Sequence, residues 1–354
     1  MAYTTIDDPS AYFQAKIYTG TGSSLALTFD GNSDLQPDLV WVKSRTNAYS
    51  HYIYDSTRGV QKRLLTDTDA AESTLAQGLT AFGSNGMTFG TDAGAYESSD
   101  AHVVWGWKAN GGSTTSGGGD DSIATSTYQA NTTAGFSIVT YTGEASAKTV
   151  AHGLGVKPNV IIVKCRQQKD WHVYFDGGQV SDPETDYLRL NTTLALTDND
   201  TSWNDTAPTT SVFTIGSGSG GDANGNTDTF VAYCFANVQG YSKFGSYKGN
   251  GNDDGPFCYT GFKPAWLMYK RTNDVANWRI LDHKREAFNV MGNEIYADLN
   301  NAAADDDQID FLSNGFKLRN GSSVGQNGND STYVYMAFAE EPFVSSEGLP
   351  CTAR

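Results

Sequence analysis

The chain has 354 residues, with 40 acidic against 24 basic side chains for a formal charge of −16. Such a chain lacks the clustered cations that phosphate backbones and anionic bilayers demand, which argues against nucleic-acid and membrane partners. An aromatic share of 12% with only 18% charged residues separates it from disordered chains, and 38 glycines suggest short strands joined by tight turns.

The opening MAYTTIDDPSAYFQ has neither a basic patch nor an apolar core, so it does not read as a signal peptide. No apolar run approaches the ~20 residues of a membrane helix. Synthesis and folding in a cytoplasm are expected. The first strand-like phrases are IYTGTG and PDLVWVKSR (Pro37 to Arg45), followed by a weak helical pattern over Gln61 to Leu79. FGSNGMTFGT and DAHVVWGWKA close this part of the chain, and the Gly/Ser-rich GGSTTSGGGDD follows at 111–121. FSIVTY, PNVIIVKCR, WHVYF, YLRLN, SVFTI and DTFVAYCFA come next, then SYKGNG, PAWLMYKRT, LSNGFKLRNG and STYVYMAFA. These runs are rich in β-branched and aromatic residues and bounded by Gly, Asn, Asp or Pro, which is a strand signature.

The phrases recur. Lys43, Lys164 and Lys270 each stand six positions after Pro37, Pro158 and Pro264. Asp55, Asp176 and Asp282 each stand 18 positions after the same prolines. Between these anchors and the closing blocks lie Asp-, Asn-, Thr- and Ala-rich centres: LLTDTDAAEST, LRLNTTLALTDND and ADLNNAAADDDQ. Self-similarity at this period means one unit used three times. The fold class is all-β: three tandem antiparallel β-sandwich domains at 1–110, 122–240 and 241–354, with 111–121 as a flexible linker.

VAHGLGVKPNVIIVKCR, VAYCFANVQGYSKFGSYKGNG, FCYTGFKPAWLMYKR, DFLSNGFKLRNG, YVYMAFAEEPF and the opening segment resemble virion structural proteins of tailed bacteriophages, chiefly marine phages and cyanophages. The resemblance covers nearly the whole chain. It implies concanavalin-like (jelly-roll) domains and a tail-fibre-like or other virion component. It supplies no catalytic site and no fixed place on the particle.

The residues that invite a chemical role each have a plainer reading. The repeated lysine, with Arg45, Arg166 or Arg271 close behind it, reads as a strand-end base paired with Asp55, Asp176 or Asp282. Its functional alternative is a cationic contact to an acidic glycan. His51, His102, His152, His172 and His283 form no metal-ligand spacing. They read as half-exposed strand residues, with His51 and His172 in matching places. There is no GxSxG elbow or phosphate-binding GxxxxGK[ST] loop. GSGSGG at 216–221 reads as a hairpin turn. The Asp-rich runs lack EF-hand spacing and read as solvated loops, not as calcium sites. Cys165, Cys234, Cys258 and Cys351 read as free thiols, mostly buried. Trp203, in the polar run NDTSWNDTAP, is the tryptophan whose neighbours suggest exposure, and so the lead for sugar stacking. No catalytic residue, metal or cofactor is assigned.

The reading is a non-enzymatic virion structural protein: a tail fibre or tail appendage. Its partners would be other virion proteins and a host-surface glycan or receptor met through the variable loops. A homo-oligomer, first a trimer, is expected by analogy with fibres. A capsid or head decoration protein is the alternative, and a polysaccharide-degrading enzyme the third.

Overall fold

The computed structural model describes residues 2–92, 94, 97–118, 122–217 and 221–351, with the side chains of 306 and 307 left aside. Copy one supplies β1 (Phe13–Thr19), β2 (Leu25–Thr28), β3 (Leu39–Ser44), β4 (Tyr52–Asp55), β5 (Lys62–Leu65), β6 (Ser73–Thr74), β7 (Leu79–Gly83), β8 (Gly86–Phe89) and β9 (Ala101–Trp107). Copy two supplies β10 (Thr115–Ser116), β11 (Ser126–Asn131), β12 (Phe136–Thr142), β13 (Lys148–Ala151), β14 (Val160–Cys165), β15 (Trp171–Phe175), β16 (Asp186–Arg189), β17 (Thr197–Asp198), β18 (Val212–Ile215) and β19 (Thr229–Phe235). Copy three supplies β20 (Ser242–Lys248), β21 (Phe257–Tyr259), β22 (Phe262–Arg271), β23 (Arg279–Asp282), β24 (Met291–Tyr296), β25 (Ala304–Leu312), β26 (Gly315–Leu318) and β27 (Thr332–Pro342).

One strand order recurs. It runs β1-β9-β3-β4-β5-β6, then β12-β19-β14-β15-β16-β17, then β20-β27-β22-β23-β24-β25, all antiparallel. A smaller layer covers one face: β2-β8-β7 in copy one, β13-β18 in copy two, and β26-β21 curling on from β25 in copy three. The expected helix over Gln61–Leu79 is absent. Gln61 has φ 67°, outside the helical region, and the stretch forms β5, β6 and β7 instead.

The strand that carries the repeated lysine is central in each sheet and apolar on both faces, because both faces are buried. Val40 and Val42 face the small layer of copy one, with Leu27, Met87 and Phe89. Ile161 and Val163 do the same with Val150 and Phe213 in copy two, and Leu267 and Tyr269 with Phe311 and Phe316 in copy three. The alternate residues point the other way, as the two-residue period requires. Leu39 and Trp41, Val160 and Ile162, and Trp266 and Met268 all meet in a single cluster drawn from the three copies. The copies are therefore not beads on a string. Each spends one sheet face on a private core and the other on a common one. Trp41, Trp105 and Trp107 of copy one pack edge-on against each other or against Trp266 of copy three, and Phe235 of copy two meets Phe338 of copy three. The common core leaves a void of only ≈ 20 Å³, about one water's worth.

The Gly/Ser stretch is tied down where described. Asp38 Oδ2 accepts from the Gly111 N–H at 3.0 Å, Gln129 Oε1 accepts from Gly112 at 3.0 Å, and β10 pairs with β11. Positions 119–121 of that stretch, and 218–220 of the GSGSGG turn, lie outside the described residues.

Candidate functional site

The repeated lysines lie on the common-core face of their strands, at its rim, and none is exposed. Lys164 Nζ donates to the carbonyls of Lys169 at 2.5 Å, Asp69 at 3.1 Å and Gln167 at 3.4 Å. Lys270 Nζ donates to Ala276 at 2.6 Å and Thr193 at 3.1 Å, and Lys43 Nζ to Ser44 at 2.7 Å and Asn47 at 3.3 Å. Burial pulls each ammonium down to about 8. Their partners are backbone carbonyls, not Asp55, Asp176 and Asp282 as expected. Moreover, Asp69 belongs to copy one and Thr193 to copy two, so Lys164 and Lys270 each reach into the preceding copy.

The same seam is written three times in backbone. Glu72 N–H donates to Arg166 O at 2.8 Å, Leu196 N–H to Thr272 O at 2.8 Å, and Ala303 N–H to Arg45 O at 2.9 Å. Ring nitrogens repeat it: Trp171 Nε1 donates to Leu65 O at 2.7 Å, Trp278 Nε1 to Arg189 O at 2.8 Å, and His51 Nε2 lies 2.8 Å from Tyr296 O. Copy one thus touches two, two touches three, and three touches one, closing a ring. The Asp- and Asn-rich centres, expected to be free recognition loops, supply much of this seam.

The matched histidines also need correction. Leu39 pairs with Asp55 and Trp266 with Asp282, but Val160 pairs with Phe175. The turn after β14 is one residue shorter, so His51 corresponds to Trp171 and Trp278, not to His172. The equal spacing of Asp176 is coincidental: it sits one place outside the register and pairs with Lys157 at 2.9 Å. His51, His102, His152 and His172 are all buried, not half-exposed; only His283 is intermediate. Trp41 Nε1 donates to His51 Nδ1 at 2.8 Å, and burial, with Lys43 nearby, holds His51 well below its ordinary range.

Asp55 and Asp282 anchor buried pairs. Arg58 Nε donates to Asp55 Oδ2 at 2.5 Å and Arg285 Nε to Asp282 Oδ2 at 2.6 Å. Each carboxylate also takes a bond from the next copy: Tyr233 OH at 2.7 Å and Trp105 Nε1 at 3.1 Å. In copy two the equivalent position is Phe175, and the residue matching Tyr233 and Trp105 is Met336, so the third seam is apolar there. Sequence spacing gave no sign of these seam pairs; the Asp-x-x-Arg phrase in copies one and three was the available signal.

Trp203 is not exposed. It is 1% accessible, donates its Nε1 hydrogen to Asp186 O at 3.0 Å, and packs on His172 and Tyr174. The cysteines are free, with Cys351 alone partly exposed. Among the described residues no group of three His, Cys, Asp or Glu is placed to hold a metal ion, and no helix is long and apolar enough to cross a membrane.

A polar cleft of ≈ 240 Å³ lies between copies one and three, lined by Asp8, Gln14, Asp30, His283, Lys284 and Glu341 among others. Asp30 is bridged by Lys16 at 2.9 Å and Lys284 at 3.0 Å. Partial burial works against its charge, but the two lysines hold its carboxyl below the usual range. The Lys284 bridge makes Asp30 a contact between copies one and three.

A family model described as a domain of unknown function, DUF7483, matches residues 8–342. The chain belongs to the DUF7483 family. The match runs through all three copies as one stretch. No curated protein matches the chain, and no solved structure matches it.

Proposed function

We propose that this DUF7483 protein is a non-enzymatic structural component of a tailed-phage virion, a tail fibre or tail appendage that meets the host surface. The observation that carries the reading is the use made of the repeated lysines. Two of the three side chains that a catalytic reading would fasten on tie their copy to the preceding one through backbone carbonyls, Lys164 to Asp69 and Lys270 to Thr193, and backbone bonds close the ring. A closed, densely cross-bonded body serves as a rigid part, and recognition is left to its periphery. The sequence resemblance to virion proteins supplies the particle. Its partners in this reading are other virion proteins and a host-surface glycan, and its place of action is the virion after assembly in the host cytoplasm. Self-association into a trimer belongs to the same reading, and light scattering should return three times the chain mass.

The test is particle composition and position. Purified phage particles encoding this chain should contain it by mass spectrometry, and gold-labelled antibody should decorate the tail. Label on the head would favour a decoration protein instead. Release of reducing ends from host polysaccharide, abolished by one carboxylate substitution, would overturn the non-enzymatic reading.

A further inference from the structure

Three aromatic side chains are exposed among the described residues, and all belong to copy three: Phe257 at 45%, Tyr259 at 51% and Phe288 at 80%. Cys258, Phe316 and Phe311 point into the private core of copy three, so their neighbours point outward. The outer face of β21, β26 and β25 thus carries the rows Phe257–Lys317–Asp310 and Tyr259–Gly315–Leu312. Asn289 extends the face: its side-chain amide exchanges two hydrogen bonds with the backbone of Phe311, at 2.8 and 2.9 Å, which seats Phe288 and Val290 beside β25.

The face is built, not incidental. A Cβ at Gly315 would collide with the Cys258 carbonyl and press within 3.1 Å of the Phe257 ring. Tyr259 is held by a hydroxyl–hydroxyl bond to Tyr3 at 2.9 Å, and Tyr3 itself donates to Gly261 O at 2.8 Å. The fold does not need these rings. By register, the places of Phe257 and Tyr259 are filled by Ala26 and Thr28 in copy one and by Thr149 and Ala151 in copy two.

We propose that this face binds a neutral polysaccharide chain by stacking sugar rings on Phe257 and Tyr259. This rests on the host-surface reading above and gives it a site. Alternate residues on a strand stand roughly 7 Å apart, a span that a short oligosaccharide covers, and the apolar face of a pyranose packs on an aromatic ring. Charge selects the class of ligand. Lys317 pairs with Asp254 at 2.7 Å and Arg319 with Asp310 at 3.4 Å. Two acids matched to two bases leave a balanced rim on a chain of net charge −16. A polyanion meets a repelling body, and both bases of the rim are already paired. Sugar hydroxyls can bond to both members of each pair without needing a net charge.

The experiment uses the full chain and a panel of neutral gluco-, manno- and galacto-oligosaccharides, with uronic-acid oligomers for comparison, read by calorimetry and saturation-transfer NMR. At least one neutral oligomer should bind. Phe257→Ala with Tyr259→Ala should weaken it at least tenfold while near-ultraviolet dichroism stays native at the temperature of the binding measurement. Absence of neutral-sugar binding, an unchanged double variant, or preference for the uronic-acid oligomers overturns the site. So does a double variant that keeps sugar affinity but fails to enter particles, which would make the face a joint between virion proteins. Gold labelling of particles is independent of these outcomes: a particle-borne protein with no sugar affinity sinks the site and leaves the virion reading standing.

Discussion

Lys164 shows how a reactive-looking residue becomes a structural one. An ammonium has three donors and no acceptor, and here all three end on carbonyls. Replacing it with Met keeps most of the volume and strands three acceptors at the seam. Lys164→Met should therefore cost about 2–3 kcal/mol in chemical denaturation, whereas Lys157→Met, at the exposed pair with Asp176, should cost under ~1 kcal/mol. His172 makes a different kind of claim. It is stacked against Tyr187, and neither ring nitrogen has a hydrogen-bond partner among the described residues. Burial, helped by Arg189, pulls it down to about 3. Its unfolded value is near 6.5, so between those values the unfolded chain takes up a proton that the folded chain refuses. Stability should fall as pH drops below about 6.5, by roughly 2 kcal/mol from this residue at pH 5. His172→Phe should flatten that slope in denaturation series at pH 5 and pH 8. An unchanged slope would mean that His172 is protonated in the folded protein.

The strands were largely legible in the sequence and the seams were not. The run VIIV announces a strand buried on both faces, because no polar residue interrupts either set of alternate positions. It cannot say what covers the second face, and the answer is another copy. The Asp- and Asn-rich centres misled through composition. At Asp69 and Thr193 it is the backbone carbonyl that bonds, and at Glu72 and Leu196 the backbone N–H; a carbonyl looks the same under any side chain. Trp203 misled in the same way: Thr201, Asn204 and Asp205 face water while the indole, with Ser202, turns inward. Some side chains work as well: Asp69 Oδ2 accepts from Gln168 Nε2 at 3.1 Å, Thr66 Oγ1 donates to Ala297 O at 2.7 Å, and Glu72 does the most. It takes Arg58 Nη1 at 2.9 Å from its own copy and Arg166 Nη2 at 2.8 Å from the next. Arg58 is wholly buried, so removing Glu72 leaves part of a buried guanidinium without its counter-charge. Glu72→Ala should cost about 2–4 kcal/mol, and Arg166→Ala clearly less because Arg166 is partly exposed. Negligible losses from both substitutions would show that the seam is held by backbone alone.

At the scale of the molecule, two arrangements compete. Each copy owns a private core, which favours three independent folding units. Each copy also turns a large apolar face to the common core. For copy two that face includes Phe136, Ile162, Trp171, Phe175, Leu188 and Phe235. Burying such side chains contributes about 1.5–3 kcal/mol each, so even these few match the ~5–15 kcal/mol net stability of an ordinary domain. An isolated copy would expose a patch far beyond the few hundred Å² that soluble monomers tolerate. The common core should therefore dominate, and the ring should unfold as one unit. Calorimetry of the full chain should show a single transition with matching calorimetric and van't Hoff enthalpies. Residues 122–240 expressed alone should aggregate, or bind an apolar dye and lack near-ultraviolet dichroism. Three separable transitions, or a soluble isolated copy with native-like dichroism, would mean that the private cores suffice. The shared core would then be a docking surface between finished domains.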